Sequence, residues 1–151
     1  MTDSCWSYLG DVDVSPLLTW LQGGNAKWPP VKGGQPNRVH APAEALPIIT
    51  TVLGWFDGPV TYDSYYASVS RLIPGQGHDY HQDPQQPNWI TRIHVPVITN
   101  PLAWIAFEEE DGRHVHFEAG KAYSFNTLKR HAFANDGLTD RVHLLFDVLR
   151  P

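Results

Sequence analysis

Residues 75–101 read GQGHDYHQDPQQPNWITRIHVPVITNP. The first half is polar and interrupted by Pro84 and Pro87, and the second turns into an alternating, β-branched run that predicts a strand. Three histidines, two aspartates and one arginine crowd this one stretch. Within the strand, Arg92 and His94 share a face opposite Ile93, Val95 and Val97, because side chains alternate along extended chain. The same division recurs near the C-terminus, where Arg141 and His143 lie opposite Val142, Leu144 and Phe146. Two such strands predict a barrel whose polar faces line an interior able to hold a ligand.

The segments around them fit this reading. From Pro59 onward, short runs rich in β-branched and aromatic residues are bounded by Gly, Pro and Asn: residues 60–74, 88–101, 102–110, 113–118, 121–126, 131–136 and 141–149. Strands at this density predict a sandwich or barrel, most simply a jelly roll, that is, a double-stranded β-helix. The Asp111-Gly112 pair between two alternating runs signals a two-residue hairpin turn. Upstream, Leu46, Ile49, Leu53 and Phe56 recur at helical spacing before Asp57-Gly58-Pro59 ends the run. A helix over 43–56 is expected, with Pro47 in its first turn, where a missing N–H is tolerated. Residues 1–42, rich in Gly, Pro and Trp, read as an ordered but irregular arm. The expectation is therefore one domain over 1–151, mostly β, with a jelly-roll core over 60–150 and one or two helices packed on it from the N-terminal part.

Composition narrows the functional classes. At 151 residues and 42% apolar content the chain suffices for one sizeable core. A net charge of -5 with interspersed signs lacks the basic stripe that a nucleic-acid partner needs. Cys5 is the single cysteine, which excludes an internal disulfide and a thiolate zinc site and fits a reducing, cytoplasmic setting. No apolar run approaches the ~20 residues of a membrane span, and the first residues lack a basic leader, which argues against secretion and membrane insertion.

The chemistry concentrates in His81 and Asp83, an H-x-D pair whose side chains point the same way in extended chain. Two ligands make a weak site, and His131, at the start of a late strand, supplies a third candidate. Two histidines and a carboxylate on one face of a metal form the facial triad of non-haem Fe(II) oxygenases, whose open positions serve oxygen chemistry. Ten residues later, the Arg141 guanidinium is suited to the far carboxylate of a chelating dicarboxylate, which suggests 2-oxoglutarate.

The motifs HQD (81–83), RIHVPVITNP (92–101), HAFANDG (131–137) and RVHLLFDV (141–148), in this order and spacing, resemble the aspartyl/asparaginyl β-hydroxylase type of Fe(II)/2-oxoglutarate-dependent dioxygenases. The resemblance spans roughly Tyr62 to Val148. It implies His81, Asp83 and His131 as catalytic iron ligands, and Arg141 as the binder of the 2-oxoglutarate 5-carboxylate. It further implies Arg92 and His94, the R-x-H pair, as facing cosubstrate or substrate, and Ser70 as a cosubstrate contact. Trp89, beside the metal loop, is expected at the pocket rim, on the substrate side. Cofactor and cosubstrates would be Fe(II), 2-oxoglutarate and O2; an sp3 carbon of Asp or Asn in a peptide, or of a free amino acid such as proline, would be hydroxylated with release of succinate and CO2. A competing reading takes His114 and His116 as the H-x-H of a cupin-like binder without oxygenase activity, although Glu118 stands too close to His116 for the usual cupin spacing.

Overall fold

The computed structural model describes residues 4–151. Among the described residues ten strands form, β1 (Trp6–Asp11), β2 (Asn37–His40), β3 (Thr61–Tyr62), β4 (Ser68–Leu72), β5 (Gly77–His81), β6 (Trp89–Ile98), β7 (Ala103–Phe107), β8 (Lys121–Phe125), β9 (His131–Asn135) and β10 (Arg141–Leu149), with helices α1 (Ser15–Gln22) and α2 (Leu46–Leu53). The larger sheet runs β1-β8-β6-β10-β4-β2, with β3 also paired to β10, and the smaller runs β5-β9-β7. Every pairing is antiparallel, and the two sheets face each other as a double-stranded β-helix. The predicted mostly-β jelly roll with N-terminal helical packing is therefore what forms.

Alternation decides what each face of the larger sheet does. Ile93, Val95 and Val97 of β6, with Val142, Leu144, Phe146 and Val148 of β10, pack outward against Leu17 of α1 and Ile48, Ile49 and Val52 of α2. Burying each large apolar side chain contributes about 1.5–3 kcal/mol, so the helices are held by this face rather than by their own propensity. Inside, Cys5, Ile105, Phe107, Phe117, Tyr123 and Phe125 fill a second apolar cluster, in which the Phe117 and Tyr123 rings stack at 4.0 Å. Pro96 sits within central β6 where the register with β10 shifts by one residue, the irregular position in which a strand tolerates a missing N–H.

Several local expectations change. The segment expected as an irregular arm contains β1, paired to β8, then α1 and β2, paired to β4; its residues 1–3 lie outside the described residues. An eight-residue helix is too short to announce itself by periodicity, and α1 depends on the burial of Leu17. The predicted 43–56 helix begins with one 3-10 turn (Ala43–Ala45), and its α-helical part is shorter, with Pro47 in the first turn. Residues 113–118 form no strand: a single bridge joins Val115 to Ile105, because Phe117 turns into the inner cluster and His116 Nδ1 donates to the Ala103 carbonyl. Asp111 and Gly112 do take left-handed conformations (φ 58° and 68°), but a 3-10 turn at Glu108–Glu110 precedes them, so the connection is wider than a two-residue hairpin. Conversely, β5 forms where a loop was expected. Gly77 lets it approach β9, since a Cβ there would stand 2.6 Å from the Phe133 carbonyl oxygen. Among the described residues no helix is long and apolar enough to cross a membrane.

Phe146, fully buried between the sheet and the helices, is the strongest test of this packing. Phe146→Ala is expected to lower the unfolding free energy by about 3–5 kcal/mol. Urea denaturation followed by circular dichroism measures it, and a loss below about 1 kcal/mol would contradict the outward core.

Candidate active site

The smaller sheet sets the candidate ligands. His81 ends β5 and His131 begins β9, and the two residues are directly paired. Asp83 lies just beyond β5, where its backbone N–H donates to the Thr127 carbonyl at 3.0 Å. One ligand atom from each of the three lies within 4.8 Å of the others, the only such group of three among the described residues. Asp83 Oδ1 is 3.7 Å from His81 Nε2, and Oδ2 is 3.8 Å from His131 Nε2.

Hydrogen bonds determine which imidazole nitrogen faces this point. His81 Nδ1 donates to the Asp79 carbonyl at 2.7 Å and His131 Nδ1 to the Lys129 carbonyl at 2.8 Å. A carbonyl can only accept, so in the neutral rings both protons reside on Nδ1 and both Nε2 lone pairs converge beside Asp83. Burial foremost, then the neighbouring His81, lowers the His131 pKa from 6.5 to about 4 against the opposing pull of the Lys129 carbonyl, so the ring is neutral near pH 7, as metal ligation requires. The donor set fits Fe(II): two imidazole nitrogens and one carboxylate.

A cavity of about 160 Å³ opens from the triad into the space between the sheets, bordered also by Ser70, Arg92, His94 and Arg141. All seven polar candidates are thus gathered around one space. Arg141 is 4% exposed and its Nε has no hydrogen-bond partner. Burial, and then the charge of Arg38, pushes its pKa down to about 9, still cationic at neutral pH. A buried cation without a counter-charge is costly, so its place on the cavity wall fits an anionic ligand group. Ser70 Oγ, buried on the same wall, is likewise without a partner. These two orphaned groups fit the 5-carboxylate of 2-oxoglutarate. His94 and His143, both buried, share a 3.2 Å Nδ1–Nδ1 hydrogen bond and are held neutral by burial and then by Arg141.

Two expectations change in detail. Arg92 does not offer a free guanidinium: Nε and Nη2 grip both oxygens of Asp147 at 2.9 and 3.1 Å, and Nη1 donates to Asp83 Oδ2 at 3.0 Å. Burial opposes its charge, but the Asp147 hydrogen bonds and the nearby Tyr66 and Asp83 outweigh it and raise its pKa. Its geometry is that of a clamp holding Asp83 in place. Trp89 is not on the cavity wall, because its indole N–H is drawn to Asp147 Oδ1 at 3.3 Å. The cupin-like pair does not assemble a site: His114 stacks on Trp104 at 3.8 Å and His116 is bonded to the Ala103 carbonyl. The sequence reading missed Asp147 as the clamp's partner, although it shares the inward parity of Arg141 and His143. It also missed Gln35, Pro36 and Arg38, which border the cavity and carried no sequence signal.

A profile of the Aspartyl/Asparaginyl beta-hydroxylase family matches residues 22–151. No curated protein matches the sequence significantly. Among solved structures, the chain is similar to AviO1 from Streptomyces viridochromogenes, with TM-score 0.65 and 15% identity over 97% of this chain and 90% of that one. It is similar to the non-heme alpha ketoglutarate dependent carbocyclase SnoK from nogalamycin biosynthesis, with TM-score 0.70 and 10% identity over 98% and 80% of the chains. A Pseudomonas putida prolyl-4-hydroxylase is similar with TM-score 0.67 and 9% identity over 99% and 94%. At these identities the likeness is one of fold.

Removing the charge that clamps Arg92, with Asp147→Asn, is expected to weaken metal affinity by about 10–100-fold. Titration with Co(II) checks this, and unchanged affinity would remove the clamp's role. In the metal-free protein, the lowered His131 pKa makes its contribution to stability fully present above about pH 6.5, the unfolded value, and lost as pH falls through about 4. Urea unfolding of wild type and His131→Gln across this range should show a steeper pH dependence in wild type; identical slopes would contradict it.

Proposed function

The chain belongs to the aspartyl/asparaginyl beta-hydroxylase family of Fe(II)/2-oxoglutarate-dependent oxygenases, and on that premise we propose that it hydroxylates an sp3 carbon of an amino-acid side chain, in an Asp or Asn residue of a peptide or in a free amino acid such as proline. The single observation that carries this reading is the buried Arg141, which among the described residues has no carboxylate partner and an Nε without a hydrogen bond, on the wall of the cavity into which His81, Asp83 and His131 converge. A metal store or a structural metal site has no use for a stranded guanidinium, whereas a dicarboxylate cosubstrate does.

In this proposal His81, Asp83 and His131 hold Fe(II) through Nε2, a carboxylate oxygen and Nε2. Bound there, Fe(II) and 2-oxoglutarate supply the oxidising power drawn from O2, with succinate and CO2 as products. The chain's own groups do the positioning. Arg141 and Ser70 take the 5-carboxylate, fixing how deep the cosubstrate sits. The Asp79 and Lys129 carbonyls keep both histidine protons on Nδ1, so each ring presents its lone pair to the metal. Arg92, anchored by Asp147, holds one Asp83 oxygen and limits its rotation. Phe125, Ile105, Phe133 and Leu145 supply apolar wall that keeps water from the reacting carbon. His94, neutral beside Arg141, offers hydrogen bonding without adding a further positive charge. Residues 1–151 act together as one catalytic unit, in a reducing, cytoplasmic setting.

Anaerobic titration with Fe(II) and 2-oxoglutarate should produce the weak visible charge-transfer band of the chelate in wild type and not in His131→Ala. Both His81→Ala and His131→Ala should lose 2-oxoglutarate-dependent succinate formation; wild-type turnover in both would sink the ligand assignment. Arg141→Ala should retain the metal and raise the 2-oxoglutarate requirement by roughly 10–100-fold, the scale of a charge-assisted hydrogen bond worth about 1.5–3 kcal/mol. An unchanged requirement would remove Arg141 from the cosubstrate site.

A further inference from the structure

Arg38 lies in β2 opposite Ser70 of β4, so the two side chains share the inward face of the larger sheet. Its guanidinium stands over the Tyr66 ring at 5.0 Å, and Nη1 donates to the Tyr66 hydroxyl at 2.7 Å. The ring is itself held, because the Arg92 guanidinium also stands over it, 4.3 Å from its centroid. Although exposed, Arg38 is therefore aimed by a partner that is itself held by the clamp on Asp83.

Its position is a junction. Arg38 borders the triad cavity and also an open groove of about 470 Å³, whose walls include Asp63, Gln85, Gln86 and Asp147. Asp83 and Arg92 border both spaces as well, so the groove meets the cavity at the candidate metal ligand. A cavity of about 160 Å³ that must take the cosubstrate leaves the body of a substrate to the groove. Whatever presents a carbon to the triad from there passes Arg38.

Three cations border the cavity, Arg38, Arg92 and Arg141. Of these, Arg92 is neutralised by Asp147 and Asp83. Among the described residues no carboxylate pairs with Arg38, although the protein carries a net charge of -5. An oriented planar donor with free N–H groups at a site entrance is suited to a carboxylate, which it meets with little further ordering cost. Arg141 is committed to the cosubstrate's far end in the reading above, on which this inference rests.

We propose that Arg38 anchors the substrate by binding a carboxylate at the junction of cavity and groove, which makes the substrate class a carboxylate-bearing amino acid or acidic peptide residue rather than a neutral side chain. One chemistry has two sources here, the α-carboxylate of a free amino acid and the side chain of an Asp residue, and paired probes separate them. With Zn(II) in place of Fe(II), and 2-oxoglutarate bound, no turnover occurs and binding is read directly by calorimetry and by the arginine Nε–H signals in NMR. The probes are L-proline with L-prolinamide, and N-acetyl-aspartate α-amide with its asparagine counterpart.

At least one acid should bind about tenfold or more tightly than its neutral partner, a difference of about 1.4 kcal/mol. Preference within the proline pair assigns the α-carboxylate, and preference within the aspartate pair assigns the side chain. Arg38→Gln should abolish that preference, Arg38→Lys should restore part of it, and both should leave 2-oxoglutarate affinity unchanged. Equal binding of acids and amides overturns the proposal, as does wild type that binds 2-oxoglutarate but neither acid. A parallel loss of 2-oxoglutarate affinity in Arg38→Gln would overturn it by assigning Arg38 to the cosubstrate. Failure of wild type to bind 2-oxoglutarate at all is a distinct result, which rejects the oxygenase reading and this proposal with it.

Discussion

The register between β6 and β10 is the constraint on which both core and site depend. Opposed residues of an antiparallel pair share a face, so the pairings Arg92–Asp147 and His94–Leu145 point inward while Ile93–Phe146 and Val95–Leu144 point to the helices. A slip of β6 by one residue would turn that strand over, placing Arg92 and His94 against Ile48, Ile49 and Val52 and Ile93 and Val95 into the cavity. The apolar face thus enforces the polar one: the energy that holds α1 and α2 on the sheet also holds the guanidinium of Arg92 against Asp147.

Within that frame the site is a chain of dependencies rather than a set of separate residues. Asp147 orients Arg92, Arg92 holds Asp83, and Asp83 stands between the Nε2 atoms of His81 and His131. The same Arg92 supports Tyr66, which in turn directs Arg38 toward the groove. Arg141 stands apart as a buried charge with no carboxylate partner among the described residues, a local cost that the surrounding apolar burial offsets. Groups left unsatisfied in a well-packed structure are where ligand binding gains most, because a bound anion stabilises the folded state by mass action.

The solved structures that share this fold include proteins described as a carbocyclase and as a prolyl hydroxylase. The fold alone therefore does not decide the chemistry, which has to be argued from the groups around the site. In this chain the mouth is bordered by Gln35, Pro36 and Arg38, contributed by the N-terminal segment. That segment does more than cover the sheet: β2 adds a strand at the edge of β4 and brings a cation to the cavity.

Fold class and most of the inner wall are legible in the local pattern of residues. Period-two alternation in 89–98 and 141–149 identified which side chains face together, and the H-x-D pair with His131 identified a donor set suited to iron. Alternation is a local property, and it survives in the sequence because each strand must satisfy it residue by residue. Which strands pair, and what their side chains meet, is settled by the packing of the folded chain. It placed His81 directly opposite His131, joined Arg92 to Asp147 and Asp83, and left Arg141 without a carboxylate partner among the described residues. It drew Trp89 away from the cavity and brought Arg38 to it. These are contacts between residues up to fifty-eight positions apart. No local period records them, because they arise when strands that are distant in the chain are brought side by side by burial of their apolar faces.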